Sequence, residues 1–219
     1  MRQFAIAVFI VLCWAPFGNA YVLEGEMWNR SAVFIMMNLN PTRGKLTNFR
    51  GFPLSDGTTN WNIPFYYACY DWNQYLGTVK LYPLWGHNYF SGGTFGDGIN
   101  QAHFGSSIGG SKLDNDTLAL TDYYYIQQAV AGASGDFYTF AEADIVFNQT
   151  IRWNSYRGPL WPTSTDIYRI ALHELGHVLG LDHPDVAGQN VDAIMNSHVS
   201  NTDDLTADDI AGVRAIYGP

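Results

Sequence analysis

The sequence predicts an α+β fold, and three observations carry that prediction. Apolar runs of strand length stand at Ser31–Leu39 and Lys80–Trp85, then at Asn100–Phe104, Thr117–Tyr125 and Glu142–Asn148 with turn residues between them. Helical spacing of apolar residues marks Trp61–Leu76, Asp166–Leu179 and a closing segment from Thr206. At 219 residues, 47% hydrophobic and 16% aromatic, the chain can bury one full core as a single domain.

Taken in order, Arg2 precedes an apolar run from Phe4 to Phe17 and then Gly18-Asn19-Ala20. A basic start, a short apolar centre and small residues at −3 and −1 describe a secretory signal peptide over residues 1–20. A retained anchor is the alternative, although the run is short for a membrane span. Ile10-Val11-Leu12 do not suit lipidation at Cys13. Cleavage after Ala20 leaves a single domain over 21–219 with one cysteine, Cys69, hence no intramolecular disulfide. Cys69 lies among aromatics on the first helix and reads as a buried thiol.

Asn40-Pro41 end the first strand, and Thr42–Asn60 is rich in Gly, Thr, Asn and Pro, as a surface loop is. Pro64 fits a first helical turn and Gly77 a stop. Gly86–Gly98 reads as loop; Gly109-Gly110, Asp114-Asn115-Asp116 and Gly132–Gly135 read as turns. Gln149–Thr165 is irregular, packed down by Trp153, Tyr156 and Trp161. Thr206 with Asp209 three residues on suits a helix start, and Ile210, Val213 and Ile216/Tyr217 give its buried stripe.

The chemistry is concentrated in His173-Glu174-Leu175-Gly176-His177-Val178-Leu179-Gly180-Leu181-Asp182-His183. The spacing H-E-x-x-H-x-x-G-x-x-H has a mechanism attached. Helical positions four apart share a face, about 6 Å along the axis, so His173 and His177 can hold one cation. Glu174, roughly 100° round, reaches a water on that cation more easily than the cation itself. A continuing helix would turn His183 away, roughly 240° round from His177. Gly180 stands where a left-handed cap can end the helix and return the chain, and Pro184 also opposes continuation. Three neutral imidazoles with one open position describe a catalytic zinc site rather than a structural one. Ile167, Tyr168, Ala171, Leu172, Leu175, Val178 and Leu179 fill the opposite arc, which predicts a buried helix with one side on a cleft.

The net charge of −9 and pI near 4.8 argue against nucleic acid or an anionic membrane as partner. Three N-x-S/T sequons, at Asn29, Asn115 and Asn148, matter only in a host that glycosylates. Calcium around Asp97 or Asp114-Asn115-Asp116 competes with plain turn formation by the same residues.

On these residues the chain resembles the metzincin zinc endopeptidases, and among them the matrixins. The eleven-residue motif is similar to the metzincin signature, Ala193-Ile194-Met195-Asn196 to the methionine turn, and Leu205–Gly218 to the matrixin C-terminal helix. Glu142–Asn148 is similar to the strand upstream of the zinc helix; the resemblance covers roughly residues 140–219. It implies a twisted, mostly parallel five-stranded sheet with one antiparallel edge strand and two long helices. One of these is the zinc-binding active-site helix; a C-terminal helix lies in a small lower subdomain. It further implies that His173, His177 and His183 bind one zinc, Glu174 is the general base and Met195 forms the floor beneath the metal. Substrates would be proteins or peptides bound extended in the cleft, by a monomer that is secreted, or periplasmic in a Gram-negative source.

The departures are specific. A P-R-C-G-like switch and the H-x-D segment of a second zinc site are missing, and His87, His103 and His198 are the spare imidazoles. Asn196-Ser197-His198 replaces the P-x-Y of many matrixins, so the specificity wall does not carry over. Pro184 and Ser197 argue against the sister groups, astacins and serralysins. The rival class is a secreted zinc-binding or adhesion protein that has lost catalysis, although all four motif residues are present.

Overall fold

The computed structural model describes residues 20–39, 54–58, 60–86, 96–108 and 110–219. Most of the expected leader, most of the two loops at 42–60 and 86–98, and His87 lie outside the described residues.

Five strands build the main sheet: β1 (Ala32–Asn38), β2 (Lys80–Trp85), β3 (Gln101–Gly105), β4 (Ala119–Ala131) and β5 (Asp136–Asn148). Their order is β2-β1-β3-β5-β4, with every neighbouring pair parallel except β4 on β5. A two-residue strand, Glu26–Met27, adds itself parallel to the first half of β5. The sheet is therefore mostly parallel with an antiparallel β4 at its edge, as expected. Two strands run longer than expected, because β4 and β5 form a hairpin closed at Gly132–Gly135. Tyr124, Tyr125 and Ile126 in its distal half are exposed. On β4 this half is exposed and carries no inside–outside alternation to read, although Phe137, Thr139 and Phe140 opposite it on β5 are buried.

Helices α1 (Asn62–Asn73), α2 (Ile167–Val178) and α3 (Ala207–Tyr217) complete the fold. The core holds Ala143, Ile145 and Phe147 of β5 together with Phe65, Ala68, Cys69 and Trp72 of α1. Cys69 is fully buried, and burial pushes its thiol pKa up, which makes it unreactive. All seven apolar residues predicted for the hidden arc of α2 are buried. Two indoles tie α2 in place: Trp72 donates to the carbonyl of Leu172 and Trp28 to that of Val178, at 2.9 and 2.8 Å. A buried indole N–H needs such a partner, and both use it to grip the same helix.

Three local expectations need correcting. Helix α1 ends at Asn73 rather than at Gly77; Gly77 instead sits where a Cβ would collide with the carbonyls of Tyr217 and Gly218. Within 149–165, Trp153 and Tyr156 are buried, but Trp161 stacks on Tyr156 with its other face in solvent, 44% exposed. Trp153–Asn154 also pairs with Thr165–Asp166. In α3 the buried stripe is Gly212, Val213, Ile216 and Tyr217, while Ile210 is only half-buried. Glycine at 212 lets the helix approach Leu181 and Tyr21 closely, which turns that face inward.

Candidate metal centre

Helix α2 starts at a buried cap. Asp166 is fully buried and accepts hydrogen bonds from the backbone N–H groups of Tyr168 and Arg169. Burial holds its carboxyl up at about 6 against these bonds and the nearby Arg169. The helix then delivers His173, Glu174 and His177 and stops at Gly180, whose φ is +92°. A side chain at 180 would meet two obstacles, the left-handed backbone and the carbonyl oxygen of Glu26. Leu181–Asp182 then pairs antiparallel with Val22–Leu23, and this pairing directs His183 back toward the helix.

The result is a triangle of imidazole nitrogens. The Nε2 atoms of His173, His177 and His183 lie 3.1–3.2 Å apart. Among the described residues this is the group of three or more His, Cys, Asp or Glu side chains able to hold a metal ion. The Nδ1 atoms fix the tautomers. Nδ1 of His173 lies 2.8 Å from the carbonyl oxygen of Ile194, and Nδ1 of His177 lies 2.8 Å from that of Leu181 and 3.0 Å from Oε1 of Glu24. Carbonyls only accept, so in these two rings the proton is on Nδ1 and the Nε2 lone pair points into the triangle.

Lone pairs facing one another at that range repel unless a cation stands among them. A tetrahedral ion with ligands at ~2.0–2.1 Å needs nitrogens about 3.3 Å apart, which the triangle nearly matches. The donor set therefore fits zinc. Electrostatics agree. Burial, then repulsion from His177 whenever that ring is protonated, holds His173 down at about 4. Burial, with the other two histidines, does the same to His183. Burial also opposes protonation of His177, but the Glu24 bond and the charges of Glu174 and Glu24 raise its pKa overall. Burial raises both Glu24 and Glu174, and a cation among the three imidazoles would favour their charged forms.

Glu174 is buried beside the triangle, 4% exposed, and burial raises its pKa. The Thr121 hydroxyl of β4 donates to its Oε2 at 2.7 Å. A carboxylate held this way, with its basicity increased by desolvation, is suited to receive a proton. Met195 lies in a turn, 2% exposed, with its sulfur where a Cβ of Gly176 would be. Asp209 of α3 holds that turn: its carboxylate accepts from the N–H groups of Ile194 and Met195 at 3.0 and 3.2 Å. The same carboxylate completes the capping box with Thr206. Asp209 thus couples the C-terminal helix to the carbonyl that orients His173.

The centre opens into a cavity of about 800 Å³, walled by Thr117–Thr121 on one side and by 193–194 and 196–200 on the other. Strand β4 pairs only with β5 among the described residues, so its other edge faces this cleft. His198 stands exposed on the rim, hydrogen-bonded to Ser197. His103 lies on β3 and is not part of the group. Asp97 accepts from the N–H of Ile99, and 115–116 form a turn; both make ordinary turn contacts.

Glu24, Thr121 and the second role of Asp209 escape sequence reasoning. The capping pattern marks Asp209 as a helix-start residue but says nothing of the turn it also holds. Glu24 and Thr121 lie in segments with no motif, 153 and 53 residues from their partners.

Comparison with known proteins points to the same region. The matrixin family model matches residues 110–218. Interstitial collagenase of Oryctolagus cuniculus is 39% identical over 79 residues, which are 35% of this chain and 15% of the collagenase. Macrophage metalloelastase of the same species is 39% identical over 80 residues, 34% of this chain and 15% of the elastase. Metalloendoproteinase 5-MMP of Arabidopsis thaliana is 42% identical over 59 residues, 26% of this chain and 15% of that protein. The chain thus spans about 15% of the length of these curated relatives.

Proposed function

We propose, since the chain is a matrixin-like metzincin, that it is a secreted zinc-dependent endopeptidase that hydrolyses internal peptide bonds. Its family supports zinc metalloendopeptidase chemistry at the coarser level. The observation that carries the finer reading is the triangle of converging Nε2 atoms with a desolvated carboxylate beside it.

His173, His177 and His183 would hold the ion. Bound zinc supplies a Lewis acid and lowers the pKa of a coordinated water to about 7. Glu174 takes a proton from the attacking water and returns it to the leaving amine as the peptide bond breaks. Thr121 keeps the Glu174 carboxylate turned to that task through its 2.7 Å hydrogen bond. The substrate lies extended along the free edge of β4, its backbone pairing as an added strand. Met195 forms the apolar floor beneath the three rings. Residues 1–20 act as the leader, and no described helix is long and apolar enough to cross a membrane.

The test is digestion of casein or gelatin by the purified exported chain, with and without chelator, beside Glu174→Gln. Hydrolysis should vanish on chelation, return with zinc, and be nearly absent in the variant although zinc remains bound. Survival of most turnover in Glu174→Gln would refute the assignment of the base. N-terminal sequencing of the exported chain checks cleavage after Ala20.

A further inference from the structure

The segment that enters the core from the N-terminus is tied to the metal loop at several points. Val22 and Leu23 pair with Asp182 and Leu181, and the N–H of Glu24 donates to the carbonyl of Gly180 at 2.9 Å. On its other side Gly25, at φ +102°, presents its carbonyl to the N–H of Tyr138 on β5. Glu24 is therefore held by backbone bonds on both flanks, and its side chain is only 11% exposed.

A carboxylate in that place needs a reason, because removing a charge from water costs several kcal/mol unless it is compensated. The tautomer of His177 does not supply the reason. The Leu181 carbonyl, at 2.8 Å, already accepts the Nδ1 proton. Among the described residues Glu24 makes no ion pair with Lys or Arg, and besides His177 its carboxylate has the Tyr123 hydroxyl as a hydrogen-bond partner. Its one ionic partner is the His177 ring. The other two histidines differ. His173 has a carbonyl alone, and His183 has Asp182 at 3.7 Å with a side chain half in solvent.

We infer that Glu24 is a positioning residue for the metal: its buried carboxylate holds the His177 imidazole from behind and makes its Nε2 a stronger donor. The negative charge is then compensated through the ring by the dication. A carboxylate behind a metal-bound histidine fixes the ring and raises its basicity, and losing one weakens metal affinity about 10–100-fold. The inference rests on the zinc reading of the same site, and it assigns the N-terminal segment a part in metal retention.

The experiment compares the purified chain with Glu24→Gln, Glu24→Ala and Glu24→Asp. Zinc affinity is measured by chelator competition, thermal midpoints with and without zinc, and the visible spectrum after cobalt(II) substitution. Glu24→Gln keeps the shape and an acceptor but not the charge. It should bind zinc about 10–100-fold more weakly, with a shifted cobalt spectrum, while its zinc-free form melts no lower than the parent. Glu24→Ala should lose at least as much affinity, and Glu24→Asp should recover part of it. Zinc affinity within twofold of the parent in Glu24→Gln overturns the inference and leaves the endopeptidase reading standing. A drop in zinc-free stability that accounts for the whole loss overturns it too, as a purely structural role. A parent chain that binds no stoichiometric zinc sinks both.

Discussion

Replacing Gly180 by alanine tests the geometry on which the placing of the third histidine depends. The backbone there is at φ +92°, and an added Cβ overlaps the carbonyl oxygen of Glu26. Left-handed backbone costs a residue with a Cβ ~1–2 kcal/mol. Relieving the overlap moves the N-terminal segment and endangers the Glu24–Gly180 hydrogen bond and the pairing beyond it. Each such bond is worth ~0.5–1.5 kcal/mol, so the total loss is about 2–4 kcal/mol. For a domain of this size that lowers the melting midpoint by roughly 5–15 °C. Because the strain falls between His177 and His183, zinc affinity should fall as well. Calorimetry of parent and variant, each with zinc and after chelation, separates the two effects: the zinc-dependent rise in midpoint should shrink along with the midpoint itself. A Gly180→Ala chain that melts within about 2 °C of the parent and keeps its full zinc content would refute the reasoning.

Three further outcomes follow from other contacts. Thr121→Val removes the donor to Glu174 without changing size, and kcat should fall about tenfold, the scale of one charge-assisted hydrogen bond, with zinc content unchanged; unaltered turnover would remove Thr121 from the mechanism. Asp209→Asn turns an amide N–H toward the N–H groups of Ile194 or Met195; it should cost ~1–3 kcal/mol in denaturant unfolding and weaken zinc binding through His173. Asp144, buried and flanked by Glu142, Asp97 and Asp122, has its carboxyl raised to about 7 by burial and then by those neighbours. A raised folded-state pKa contributes stability below the unfolded value of ~3.9, and that stability is lost as pH rises through about 7. Asp144→Asn should flatten the stability profile between pH 4 and 7 and gain most at alkaline pH; an unchanged profile in urea titrations would count against the buried, repelled carboxylate.

How far the sequence could be read depended on the distance between interacting residues. The motif helix, its hidden arc and the Thr206–Asp209 cap were legible because helical periodicity relates residues three and four apart. The far end of β4 was not, since its exposed half lacks the alternation that a buried face imposes. Trp161 was expected to be packed down, but composition could not show that only one face of its ring would find a partner.

At the site, the sequence alone determined the three histidines, the glutamate and the glycine that turns the chain. The four-residue step from His173 to His177 is local helix geometry, whereas the return of His183 also uses the pairing of Leu181–Asp182 with Val22–Leu23. Only the tertiary structure decided what stands behind each side chain: Glu24 and Leu181 at His177, the Ile194 carbonyl at His173, and Thr121 on Glu174. Those partners come from separate strands and turns that meet only when the sheet and helices pack. No spacing rule links residues 24 and 177; the pairing of Val22–Leu23 with Leu181–Asp182 brings them together.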